Sequence, residues 1–251
     1  MATKKPNLKA NFSESTISFI GAILAVLAVR WLLFEPYVIP SGSMIPTLLV
    51  HDHILVNKLA YGIRFPFTKK WLVKFGEPKR GDIVVFRSVE EDGKFMIKRV
   101  IGVSGDTVEF TDAGQLLINN EPVPHESMGD SLEAAKAEPF YPVSSEDTGF
   151  ELANLEFFKD KIGDKIFRTL LIKESFRWRL PPIKVGEGKL FMMGDNRDNS
   201  KDSRAWGELP EENVLGKALF VWLSCEQTAP VVTFLCNPLT VRWKRFFHGI
   251  H

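Results

Sequence analysis

From Ile17 to Phe34 the chain is almost wholly apolar, and no other feature restricts its architecture as strongly. As a helix, roughly 18 residues at about 1.5 Å each reach about 27 Å, close to the thickness of a hydrocarbon core. Arg30 interrupts the run near its far end, where its stem can snorkel toward headgroups, and Trp31 and Tyr37 suit the same interface. A cleaved export leader needs a small-x-small site, and Val29-Arg30-Trp31 with the bulky residues after it offers none. A helix packed on a globular core would carry a polar face, which this run lacks. The expectation is an uncleaved transmembrane helix over residues 16–35. Lys4, Lys5 and Lys9 precede it, so the positive-inside bias leaves residues 1–15 in the cytoplasm and sends the rest outward. Ala218-Leu219-Phe220-Val221-Trp222-Leu223 is too short for a second span and reads as a strand.

The 251 residues leave room for this anchor and one sizeable domain with an insertion. Lys and Arg total 32 against 31 Asp and Glu, so no basic excess points to nucleic acid. Cys225 and Cys236 lack the spacing of a zinc site. In an oxidising compartment they can close a hairpin loop; in a reducing one they stay two thiols. Beyond Pro36 the pattern turns to short strands broken by turn residues: Asp82–Phe86, Phe95–Val103, Thr107–Phe110, Leu116–Ile118, Leu190–Met193 and Lys217–Leu223. Arg80-Gly81-Asp82 is the turn that opens the first of these. Between Asn120 and about Pro182 the chain grows richer in Glu, Ser and Pro and loses clear strand periodicity. The fold expected is mostly β (α+β): an antiparallel sheet core in two parts, residues 36–119 and 186–251, around an inserted subdomain at 120–185.

Three polar segments carry the chemistry. Ser41-Gly42-Ser43 follows the apolar run closely and lacks the Gly-x-Ser-x-Gly context of α/β-hydrolases. A serine hydroxyl is a poor nucleophile until a neighbouring base takes its proton. None of His51, His53, His125, His248 and His251 sits in a motif suggesting a triad, which leaves lysine. A lysine at its ordinary value of about 10.4 is protonated at neutral pH, but burial against apolar groups lowers it toward neutrality. Lys98 lies between Met96-Ile97 and Val100-Ile101, and strand alternation puts it on the face of Met96 and Val100. The third segment, Gly194-Asp195-Asn196-Arg197-Asp198-Asn199-Ser200-Lys201-Asp202-Ser203-Arg204, is a dense polar turn. It is no EF-hand: Ser200 stands where the loop needs glycine and Trp206 where it needs a bidentate glutamate. Alone, the serines read as a loop and Lys98-Arg99 as a basic pair on an edge strand; the coincidence of all three segments changes the reading.

Together Ile39–Leu48, Met96–Val100 and Gly194–Arg204 resemble the type I signal peptidases, membrane-anchored serine–lysine proteases, with similarity over Pro36–Tyr61, Gly81–Asp106 and about Leu190–Trp222. The resemblance implies Ser43 as nucleophile, Lys98 as general base in acylation and deacylation, and an oxyanion hole from the Ser41 hydroxyl and the Ser43 N–H. It implies that Ser200 orients the Lys98 amine, that Asp202 with Arg204 and Asp195 with Arg99 brace the site, and that Met96 and Met192 shield the lysine stem. Ile39, Pro40, Met44, Leu48, Ile54 and Ile97 would line shallow pockets for an Ala-x-Ala cleavage site. The implied partners are signal peptides of exported preproteins, the phospholipid bilayer and a nearby secretion translocon, with no cofactor, metal or nucleic acid. The implied location is the inner (plasma) membrane, single-pass, with the catalytic domain on the extracytoplasmic side. Phe95 departs from the family's usual aspartate three residues before the lysine, and the Cys225–Cys236 segment goes beyond the core pattern. Two other readings compete. Self-cleaving serine–lysine repressors carry a DNA-binding domain where this chain has its apolar run, and a catalytically silent anchored module would have lost the serine or the lysine.

Overall fold

The computed structural model describes residues 15–24, 26, 33–65, 68, 70–137, 140–175, 179–229, 232 and 234–250. Residues 15–24 and 26 are helical, while residues 1–14, 25 and 27–32, which the cytoplasmic segment and the anchor require, lie outside the described residues. Among the described residues no helix is long and apolar enough to cross a membrane.

The remainder is mostly antiparallel β. The main sheet runs in the order Phe34–Val38, Asp52–Asn57, Val214–Ser224, Ile83–Arg87, Phe95–Gly102, Lys189–Met193 and Leu209–Pro210, with His248–Gly249 also paired to Val214–Ser224. Ile83–Arg87 explains why this sheet holds. Ile83 and Val85 join Met44, Leu48, Ile54 and Ile97 in one apolar cluster, whereas Val84 and Phe86 join Val100, Leu190 and Met192 in another. A continuous apolar run is what a strand covered on both faces requires.

Three smaller sheets accompany it, the smallest a two-stranded pairing of Gly62–Arg64 with Trp71–Lys74, and the other two are built from strands within residues 107–184. One combines Thr107–Phe110 and Leu116–Ile118 with Glu121–Pro122 and Leu180–Lys184, so it draws strands from both sides of residue 120. The other pairs His125–Ser127 with Leu155–Ile162 and that strand with Lys165–Ile172. The last two form although the sequence shows no clear strand periodicity there: they pair residue for residue from Leu155↔Ile172 to Ile162↔Lys165. Gly163, at φ 59°, and Asp164 make the two-residue turn between them, where glycine adopts the left-handed conformation without steric cost. A short helix, Ser131–Lys136, packs beside this hairpin; the Asp130 side chain caps it by accepting from Leu132 N and Glu133 N.

Cys225 and Cys236 form a disulfide, with Cα atoms 5.6 Å apart. It closes the lobe that follows Val214–Ser224 and resolves the alternative that the sequence leaves open.

Candidate active site

Ser43 sits in a single 3-10 turn, Gly42–Met44, that follows Ser41 in extended conformation. The turn is pinned to the polar segment from the other end of the chain. Asn196 N donates to Ser43 O at 3.1 Å, and Asn196 Nδ2 donates to Gly42 O at 3.1 Å. The approach is close enough that a Cβ at position 194 would collide with Ser43 O and with Ser200, so glycine is the residue that fits.

Lys98 reaches the same point from Phe95–Gly102, where it pairs opposite Val84 and is only 3% exposed. Its Nζ donates to Ser43 Oγ at 2.6 Å and to Ile97 O at 3.0 Å. Burial pushes the ammonium down to about 8; Asp202 and Asp195 pull it back up and Arg204 adds to the fall. An amine that loses its proton near neutrality, in hydrogen-bond reach of a buried hydroxyl, is equipped to act as a general base.

Two buried ion pairs brace the pair. Arg99 Nε and NH2 donate to Asp195 Oδ1 (2.8 Å) and Oδ2 (2.7 Å), and the guanidinium lies 3.6 Å over the Phe167 ring. Arg204 Nε and NH2 donate to Asp202 Oδ1 and Oδ2, both at 2.8 Å, while Asp202 Oδ2 also accepts from Gly194 N at 3.0 Å. Asp195 and Asp202 thus organise the segment and supply the negative potential that Lys98 feels.

Other expected residues behave differently. Ser41 Oγ lies 3.5 Å from Ser43 Oγ on the exposed side of the turn. Ser200 Oγ is buried and has no hydrogen-bond partner among the described residues, so the bond to the Lys98 amine expected from the resemblance is not made here. Lys98 directs its protons to Ser43 Oγ and Ile97 O instead, and Ser200 is pressed against Gly194. Ile39, Met44, Leu48, Ile54 and Ile97 come together, but as a packed apolar cluster beneath the turn, with Pro40 alone exposed. Met96 and Met192 share the cluster that contains Val84 and Val100, on the Lys98 face of the strand. Phe95 is about half exposed and meets Tyr37 edge-on at 5.7 Å.

Thr47 and Asn196 escape the sequence reading. Thr47 Oγ1 donates to Asp195 Oδ2 at 2.5 Å, so the serine turn grips the same carboxylate as Arg99. Only their adjacency to singled-out residues, within Ile39–Leu48 and Gly194–Arg204, could have marked them.

Several known proteins are similar to this chain. A solved signal peptidase I from Enterococcus faecalis V583 is 28% identical, covers 57% of this chain and 98% of its own, and superposes with a TM-score of 0.32, so sequence rather than superposition carries the assignment. The signal peptidase I of Pseudomonas fluorescens is 42% identical over 234 residues, 88% of this chain and 76% of the relative. That of Pseudomonas aeruginosa is 40% identical over the same shares, and that of Aquifex aeolicus 35% identical over 87% of this chain and 86% of its own. The profile of the signal peptidase family, peptidase S26, matches residues 12–223. The chain therefore belongs to the signal peptidase family of hydrolases, peptidase S26.

Proposed function

We propose that this chain is a membrane-anchored serine endopeptidase that removes N-terminal signal peptides from exported proteins, cutting after a small-x-small site through an acyl-enzyme on Ser43. The observation that carries the reading is the 2.6 Å approach of a 3%-exposed Lys98 amine to the Ser43 hydroxyl. As Ser43 Oγ attacks the scissile carbonyl, the free Lys98 amine takes its proton. The oxyanion is held by Ser43 N–H and the Ser41 hydroxyl, which act where charge develops. The Lys98 ammonium then protonates the departing amine of the mature protein. A water, losing its proton to Lys98, attacks the ester; as the bond to Ser43 Oγ breaks, the Lys98 ammonium returns that proton to Oγ, and the signal peptide leaves as a carboxylate, its acid proton passing to solvent. No cofactor is required.

Substrate access is supported by the sheet. Phe34–Val38 is a terminal strand, and on the side of Lys189–Met193 the pairing of Phe95–Gly102 begins only at Arg99. Phe95 to Lys98 therefore offer a backbone edge to an extended peptide. The apolar cluster of Ile39, Met44, Leu48, Ile54 and Ile97 would form the floor that admits alanine and rejects larger side chains. The reading includes residues 16–35 as the anchor, with the N-terminus cytoplasmic and the catalytic part outside, beside the translocon. It also includes a core of residues 36–119 and 186–251 flanking an insertion at 120–185.

The test is cleavage of an Ala-x-Ala precursor by the full chain in detergent. Cutting after the second alanine is expected; its absence with folded protein would overturn the reading. The pH profile gives an independent check. Because only the free amine acts, kcat/KM should climb about tenfold per pH step below the Lys98 value of about 8 and level off above it. A flat profile from pH about 6 to 9 would exclude Lys98 as the base.

A further inference from the structure

Five arginines are buried among the described residues, and four of them meet a carboxylate: Arg99 with Asp195, Arg197 with Asp160, Arg204 with Asp202 and Arg245 with Asp52. Arg168, only 2% exposed, pairs with no carboxylate among the described residues. Its guanidinium donates to the carbonyls of Ala134 (2.9 Å), Ala135 (3.2 Å) and Tyr141 (2.5 Å), while its Nε has no partner among the described residues. Carbonyl oxygens in the last turn of Ser131–Lys136 orient the group without neutralising it. Burial, with Arg245 as a like charge beside it, pushes the guanidinium down to about 10. An interior cation without a counterion is costly, so Arg168 stands to gain from any anion brought near it.

Arg168 lines a cleft of about 730 Å³ between the main sheet and the hairpin of Leu155–Ile162 and Lys165–Ile172. That volume suits a small molecule. Three lysines share the lining. Lys165 and Lys217 both direct Nζ to Asp82 Oδ1, the second at 2.8 Å, so two ammonium groups divide one carboxylate oxygen. Lys159, paired opposite Arg168 on the hairpin, is exposed. Against these four cations stand only Asp82 and Asp164, which leaves an excess of two positive charges. Elsewhere the wall is largely apolar, with Phe140, Tyr141 and Ile250 prominent.

We propose that this cleft binds a small organic phosphate monoester, seated on Lys165, Lys217 and Lys159 in front of the buried Arg168 charge, with its organic part against Tyr141, Phe140 and Ile250. A phosphate monoester carries a charge of about −1.5 to −2 near neutral pH, which matches the excess on the walls. A monocarboxylate or the phosphodiester of a lipid headgroup brings one negative charge and leaves the other cation unmatched. Ammonium groups bind such oxyanions through charge-assisted hydrogen bonds, and the apolar wall selects an organic phosphate over the inorganic ion. Neither Ser43 nor Lys98 lines the cleft, so binding there does not depend on the peptidase reading.

The test is calorimetric titration of the full chain, in non-ionic detergent, with phenyl phosphate. Expected is one saturable site with a Kd of about 0.1–1 mM. Affinity should fall by about tenfold or more in Lys217→Gln and in Lys159→Gln, each of which leaves Lys165 on Asp82. Circular dichroism establishes that both variants are folded. Phenol, which has the ring without the charge, should not bind measurably, and short-chain phosphatidylglycerol should bind more weakly than phenyl phosphate. No saturable binding of phenyl phosphate at about 10 mM, or folded variants that bind it as the parent does, would overturn the proposal. Phenol binding as well as phenyl phosphate would reduce the site to an apolar cleft, and tighter binding of phosphatidylglycerol would overturn the monoester assignment in favour of a lipid phosphate.

Discussion

Lys98→Met is expected to abolish precursor cleavage and, at neutral pH, to make the fold more stable. The first effect follows from the role proposed for Lys98 as general base: loss of a member of such a unit costs at least about 10³-fold in rate. The second follows from the proton balance. Burial lowers the Lys98 ammonium from 10.5 to about 8. Between those two pH values the unfolded chain holds a proton that the folded chain has released, so stability rises with pH across that window. Below about pH 8 the folded state bears the full penalty of a buried ammonium, on the order of 3 kcal/mol. Methionine fills a similar volume without charge, and it forfeits the hydrogen bonds to Ser43 Oγ and Ile97 O. The net gain is about 1–2 kcal/mol at pH 7, shrinking as the pH approaches 10. Urea unfolding of both proteins at the two pH values measures it. Ser43→Ala should be as inactive, with little change in stability because one small buried hydroxyl is lost. A Lys98→Met protein that is inactive but less stable at pH 7 would mark the lysine as structural.

The segments that meet around Ser43 were legible because each is short and locally dense in chemistry. Ser41-Gly42-Ser43, Met96–Val100 and Gly194–Arg204 can be read without knowing how they pack. What lies between them could not, because it depends on distant partners. The hairpin of Leu155–Ile162 and Lys165–Ile172 carries Asp160, Arg168 and Thr169 at buried positions, which breaks the alternation of apolar and polar residues. Two of them are accommodated by remote groups: Asp160 by Arg197 at 2.9 Å and His125 at 2.5 Å, Arg168 by the carbonyls of Ala134, Ala135 and Tyr141. Gly163-Asp164 was the local signal that remained. Ser200 illustrates the same limit inside the site. Its place in the polar segment is evident from sequence, whereas its packing against Gly194 and the Lys98 bonds to Ser43 Oγ and Ile97 O emerge only in the folded chain. The cysteines were likewise undecidable until the chain returned to bring their Cα atoms within 5.6 Å.

Asp202→Asn separates the structural and the electrostatic work of one carboxylate, and its two effects are expected to run in opposite directions. Asp202 and Arg204 are both buried, and the carboxylate accepts from Arg204 Nε, NH2 and N and from Gly194 N. An amide keeps the shape but turns one acceptor into a donor facing donors, and it leaves the Arg204 charge in the interior without that counterion. Breaking a buried pair in this way costs about 3–5 kcal/mol, which a urea titration at pH 7 would register as a markedly earlier midpoint. Asp202 is also the strongest influence that keeps Lys98 protonated, ahead of Asp195, whereas Arg204 opposes it. Without the carboxylate only Asp195 still holds the proton, while burial and Arg204 oppose it, so the Lys98 value falls below about 8. The acid limb of kcat/KM therefore moves to lower pH, and at pH about 6.5 the variant retains a larger fraction of its own plateau than the parent does. The position of the limb is the informative quantity, since its height also reflects any disturbance at Gly194. A limb that stays in place while stability falls would mean that the group titrating in catalysis does not feel Asp202, and Lys98 would lose its assignment as the base.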